Sequence, residues 1–263
     1  MIRIDDADRV RTITLDRPEK LNAFNESLYA AAAAAFLDAA HDPAVAVVIL
    51  TGKGRAFSAG VDIAELAAHA SGTAPAGESN FPKFVQAVAG FPKPLVCAVN
   101  GLAVGIGATV LGYADLVFMS TEARIRTPFT DLCVAPEAGS SFTFPRLLGR
   151  QNASWVLFSS EWFSAEECRA MGLAWKVCEP EALLDDAHAH ARVLARKPIA
   201  SLMETKRTLT AALERPIAEA IERENEAFVR LMGSPANLEA LTAFAERREP
   251  DFVTVDEKHP LTT

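Results

Sequence analysis

Apolar residues in this chain fall into two rhythms, short continuous runs and longer helical stripes. Ala44 to Leu50 is unbroken apolar sequence of strand length, which predicts a strand buried on both faces. Pro94 to Val99 and Asp115 to Met119 read the same way. Val10 to Leu15 is β-branched and follows the turn-like Asp5-Asp6-Ala7-Asp8, so the chain opens as a small antiparallel unit. Ala123 to Thr127 alternates as an exposed strand, and Ala174 to Val177 is a further one. Helical spacing begins at Glu26, with Asn25 as N-cap, and runs to about Ala40 before His41-Asp42-Pro43 stops it. Phe81 to Ala89, residues 139–148 and residues 151–160 are helical. Another helix starts at Ser164, with Glu167 at the capping-box position. From Glu181 onward the pattern is helical, with breaks at Pro198, Pro216 and Ser234-Pro235. Residues 66–80 are small and polar, with His69, Gly72, Pro75 and Gly77, which predicts a mobile loop. Strand–strand–helix units recur without a low-complexity linker, and the class is α/β.

Two glycine-containing turns interrupt this pattern, each after a buried strand. One is Thr51 to Ile63. The other is Asn100 to Gly112, where Gly101, Gly105 and Gly107 leave the backbone thinly covered and Ile106 opens an apolar helix. N–H groups at such a helix start lack an intrahelical acceptor, and the helix dipole adds partial positive charge. The turn is therefore a site for a phosphate, a carboxylate or an enolate oxygen, or simply a place where strand and helix pack closely. A phosphate loop needs Gly-Lys-Ser/Thr, whereas Ala108 and Thr109 follow Gly107; the dinucleotide fingerprint fails on spacing.

Composition narrows the partners. The chain has 263 residues, half of them hydrophobic, and a net charge of −8, which argues against nucleic acid or an anionic membrane. No apolar run reaches membrane-spanning length. Cys97, Cys133, Cys168 and Cys178 form no Cys-x-x-Cys pair, and the charged segment Met1 to Arg11 is unlike a signal peptide; reduced thiols in a cytoplasmic protein are expected.

Three stretches carry a resemblance over nearly the whole length: Asp16 to Ala23 (DRPEKLNA), Ala56 to Ile63 (AFSAGVDI) and Val99 to Gly105 (VNGLAVG). In that order they resemble the crotonase, or enoyl-CoA hydratase/isomerase, superfamily. The resemblance implies a spiral of ββα units over residues 1–200 and a C-terminal helical region, 201–263, that makes trimers or dimers of trimers. It implies an acyl-CoA thioester substrate, with coenzyme A as part of the substrate and no separate cofactor or metal. Backbone N–H groups of Val61 and Ile106 are the oxyanion donors by motif position. Ala59, Gly60, Asp62, Ile63, Gly105 and Phe129 are then substrate-binding, and Lys20 and Lys53 reach for the CoA phosphates. Family hydratases carry two glutamates at positions held here by Thr109 and Phe129. The Δ3,Δ2-enoyl-CoA isomerases, especially the peroxisomal type, use one glutamate further along the loop, which matches Glu137 within Pro136 to Pro145 (PEAGSSFTFP). A single base suffices to move a proton from C2 to C4.

Each assignment has a plainer reading. Glu137 is also a carboxylate near a helix N-terminus, where the dipole favours it. Asp62 and Glu65 read as loop and helix-start groups, Thr109 as a helix-interior residue shaping the pocket, and Asp131 as a weaker candidate base. His188 and His190 face different directions on one helix and are no metal pair, while His41, His69 and His259 fall in turns or tails. Cys133 has no histidine neighbour to activate it. Phe81, Phe84, Phe142 and Phe144 line an acyl tunnel or fill the core. The expectation is an isomerase. The alternatives are a hydratase with unorthodox acid and base groups, and an acyl-CoA binder without turnover.

Overall fold

In the computed structural model, which describes residues 1–73 and 79–259, the chain opens on a hairpin of β1 (Ile2–Ala7) and β2 (Val10–Leu15). Its turn is Asp8-Arg9, both at positive φ, so the reversal comes later than the acidic cluster suggests, and Asp5 and Asp6 lie within β1. The Asn25 side chain accepts from Leu28 N–H and starts α1 (Glu26–His41). The buried run then forms β3 (Val47–Gly52), shifted toward Gly52 relative to the apolar stretch. β4 (Ala56–Ser58) follows, and then α2 (Ile63–Ala70), capped by Asp62. Residues 66–70, expected in a loop, are thus helical; Pro75 and Gly77 lie outside the described residues.

α3 (Phe81–Ala89) leads to β5 (Leu95–Val99), β6 (Leu102–Val104) and α4 (Ile106–Thr109), which continues as a 3-10 turn over Val110–Tyr113. The second glycine turn therefore contains a short strand, and its helix is a single α turn. β7 (Leu116–Ser120) and β8 (Arg124–Arg126) complete another pair, and Ile125 and Thr127 beside it are buried rather than exposed. α5 (Ser140–Leu148), α6 (Arg150–Ser159), β9 (Phe163–Ser164) and α7 (Ala165–Met171) follow, the last with the predicted capping box between Ser164 and Glu167. β10 (Lys176–Cys178) is the last strand among the described residues.

Strands β3, β5 and β7 enter one sheet, and β4, β6 and β8, each the next in sequence, enter another. The large sheet runs β1-β2-β3-β5-β7-β10, parallel from β2 onward; the small one runs β4-β6-β8-β9. This is the expected succession of strand–strand–helix units. Alternation explains the continuous apolar runs. Val48 and Leu50 of β3 face a core shared with Phe36 and Phe84. Val47 and Ile49 face the other way, under Leu183, Ala187, Ala191 and Ala195 of α8 (Leu183–Ala195).

The remaining helices are α9 (Ile199–Thr210), α10 (Glu214–Leu231), α11 (Pro235–Glu246) and α12 (Phe252–Lys258). Pro216 sits in the first turn of α10, where its missing N–H costs nothing; the break is the 3-10 turn Ala211–Leu213 just before it. Ile221, Phe228 and Met232, on and just after α10, pack onto the main core, so the C-terminal helices return to the body of the same chain.

Candidate active site

Two asparagines, Asn22 fully buried and Asn100 half-buried, shape the first glycine turn. Asn22 donates from Nδ2 to the carbonyls of Lys53 (3.0 Å) and Ala56 (2.8 Å), while its Oδ1 accepts from Arg17 N–H. Asn100 donates to Gly54 O (2.8 Å) and accepts from Gly52 N–H (3.2 Å). Ser58 Oγ donates to Asn22 O and accepts from Gly60 N–H. The motif side chains are therefore ties that hold backbone, which is why their amide and hydroxyl groups sit buried without penalty.

The two turns meet at Gly60 and Gly105. Gly60 has φ +88°, and a Cβ there would stand 2.9 Å from Val104 O. Gly105 has φ +51°, and a Cβ there would stand 3.4 Å from a Glu137 carboxylate oxygen and 3.8 Å from Gly60 Cα. Glycine is required at Gly60 by both conformation and space, and at Gly105 by its positive φ. Val61 and Ile106 come next in sequence. Phe24 takes the Gly60 carbonyl (2.7 Å) and the Asp62 N–H (2.8 Å), which leaves Val61 N–H turned away from that bridge. Ile106 is the first residue of α4. Among the described residues neither N–H has a hydrogen-bond acceptor.

Both turns open into a cavity of about 520 Å³ whose wall includes Ala59, Gly60, Val61, Ile63, Gly105, Phe129 and Glu137. Glu137 is enclosed by protein but faces this space. Burial raises its pKa first and the Glu224 carboxylate second, to about 8. Its loop is strained and clamped. Ala138, the next residue, is at φ +56°, and its carbonyl accepts from Tyr113 Oη at 2.6 Å. Glu224 of α10 accepts from Gly139 N–H (2.6 Å) and Ser141 N–H (2.8 Å), capping α5 with a carboxylate supplied by another helix.

Other candidates lie elsewhere. Asp62 caps α2 and pairs with Arg17 at 3.0 Å without lining the cavity. Lys20 is exposed and outside the cavity wall, and Lys53 pairs with Asp16. Thr109 is fully buried, with its hydroxyl unpartnered among the described residues, and does not line the cavity. Asp131 is held outside by Arg126. Phe81 lines the cavity, whereas Phe84 and Phe144 are core and Phe142 is away from it. His41 and His69 close helices α1 and α2 rather than lying in turns. His69 also borders the cavity, as Cys133 does not.

Residues 5–255 match the family model for enoyl-CoA hydratase/isomerase. The chain belongs to that family. It is 34% identical to 1,2-epoxyphenylacetyl-CoA isomerase of Escherichia coli over 248 residues, 92% of this chain and 94% of that protein. It is also 34% identical to enoyl-CoA delta isomerase 2 of Rattus norvegicus over 200 residues, 75% of this chain and 51% of that protein. The crystal structure of an enoyl-CoA hydratase from Mycobacterium marinum is 60% identical, with a TM-score of 0.76 over 80% of this chain and 99% of that one. The protein is thus an enzyme of the hydratase/isomerase family with the crotonase fold.

Within that family the sites that sequence reading missed here are those brought in by packing. Glu224 is one of many charges on the amphipathic α10, and only its fold position against Gly139 and Ser141 distinguishes it. Tyr29 and Glu26 on α1, and Asn225 on α10, also face the cavity without a motif to mark them.

Proposed function

We propose that this enzyme converts 3-enoyl-CoA to trans-2-enoyl-CoA, with Glu137 as its single base. The observation that carries the reading is the position of Glu137, whose carboxylate lies against Gly105 where the two glycine turns converge. The thioester carbonyl accepts from Val61 and Ile106 N–H. The Glu137 carboxylate takes a proton from C2, and the electron pair moves onto the carbonyl oxygen as an enolate. The enolate collapses, the double bond moves to C2–C3, and Glu137 returns the proton to C4. Two donors aimed at the developing charge are worth about 10²–10³-fold each.

Hydration has less support. Thr109 is buried away from the cavity and Phe129 presents an apolar ring, so the two positions at which family hydratases carry glutamates offer water no carboxylate. In this reading coenzyme A belongs to the substrate. Leu209 and Phe244 on the outer faces of α9 and α11 support a homotrimer or a dimer of trimers built through residues 201–263. The test is a side-by-side assay of purified protein with 3-hexenoyl-CoA and crotonyl-CoA. Isomerisation should exceed hydration; hydration faster than isomerisation would make the hydratase the better reading, and turnover of neither would leave a binder.

A further inference from the structure

The cavity has a polar feature that proton transfer at C2 and C4 does not use. Tyr29 of α1 is 3% exposed, and its hydroxyl has no hydrogen-bond partner among the described residues, yet it lines the cavity. Its ring is fixed, stacked on Phe24 at 4.7 Å and edge-on to Phe81 at 5.5 Å. The hydroxyl is open to the cavity although the ring is buried, so its partner comes from whatever fills that space, water or a ligand group.

The surroundings decide what that ligand is. Four carboxylates share the cavity wall, Glu26, Glu65, Glu137 and Glu224, and no lysine or arginine joins them among the described residues. Glu26 is fixed as an acceptor by Ser79 Oγ, Asn80 N–H and Asn80 Nδ2, and Glu65 accepts from Glu26 N–H. Burial and the charges of Glu137, Glu26 and Glu65 keep the Tyr29 phenol protonated, so it faces the cavity as a donor. A donor needs an acceptor, and a carboxylate acceptor is opposed by whichever of these wall carboxyls are ionised. Building on the acyl-CoA reading of this cavity, we infer that the enzyme's acyl site selects chains bearing an uncharged oxygen, such as a hydroxyl, carbonyl or ether, for Tyr29 to bind. It discriminates against chains that end in a carboxylate.

Binding of saturated acyl-CoA thioesters tests this without turnover. Calorimetry would compare hexanoyl-CoA, hexanoyl-CoA hydroxylated at C4, C5 or C6, and adipoyl-CoA on the wild type and on Tyr29→Phe and Glu65→Gln. At least one hydroxylated chain should bind about 3- to 10-fold tighter than hexanoyl-CoA, the span of one net hydrogen bond. Adipoyl-CoA should bind more weakly than hexanoyl-CoA. Tyr29→Phe should erase the hydroxyl preference, and Glu65→Gln should narrow the adipoyl penalty. Equal binding of all the thioesters, or a hydroxyl preference that survives Tyr29→Phe, would overturn the inference while leaving the acyl-CoA reading intact. Binding of none would overturn both.

Discussion

Glu137 is basic because it is buried, and more so because Glu224 stands nearby with the same charge. For free enzyme, kcat/KM for isomerisation is expected to climb about tenfold per pH unit and level off above pH 8, since only the ionised carboxylate accepts a proton. Glu224→Gln removes the neighbouring charge, so the inflection should move to lower pH; an unmoved inflection would remove Glu224 from the account. Stability runs the opposite way. A carboxyl whose pKa is raised by folding contributes fully below its unfolded value of 4.5, and that contribution is lost as pH rises toward 8. The Tm of Glu137→Gln relative to wild type should therefore increase between pH 5 and pH 8, as read by differential scanning calorimetry. Glu137 was legible in the sequence because a distinctive loop surrounds it. Glu224 and Tyr29 were not, because a glutamate among Glu222, Arg223 and Glu226, or a tyrosine in an alanine-rich helix, looks like any other until packing selects it.

The elements that carry the chemistry are short, and this limits how far a pattern reading reaches. Strands β3, β5 and β7 were visible because both faces of each are covered, giving unbroken apolar runs. β6 has three residues between two glycines, too few for any periodicity, so in the sequence it merges with the turn. The second half of α2, residues 66–70, looks like loop because alanines and a histidine are featureless, although Asp62 caps the helix they continue. The oxyanion role assigned to α4 belongs to backbone, which makes it separable from packing. Ile106 is core, so Ile106→Ala and Ile106→Pro both lose its side chain, but only the proline removes the N–H. Proline is tolerated at a first helical position after glycine. With circular dichroism and oligomer size unchanged, Ile106→Pro should turn over about 10²-fold or more slower than Ile106→Ala. Equal rates would show that this N–H holds no oxyanion.

At the scale of the molecule, the region after residue 200 contributes to the site through α10 and Met232 just after it. Glu224, Asn225, Phe228, Val229 and Met232 line the cavity and all fall in this region. Deleting 201–263 should yield insoluble or dissociated protein without isomerase turnover, checked by size-exclusion chromatography and assay. A soluble, active monomer would contradict both the trimer proposal and the placement of Glu224. The sequence carried the general architecture, because strand–strand–helix repetition and three ordered motifs survive as local pattern. It did not carry how α10 folds back, since an amphipathic helix shows which face is buried but not what it is buried against. The expectations about turnover depend on the Glu137 carboxylate being the group that moves the proton. The most direct measurement is 3-hexenoyl-CoA turnover by Glu137→Gln alongside calorimetric hexanoyl-CoA affinity of the same protein. Turnover should fall about 10²–10⁴-fold with affinity kept, because glutamine preserves the shape and removes the acceptor. Near-normal turnover with unchanged affinity would contradict the assignment of Glu137 as the base.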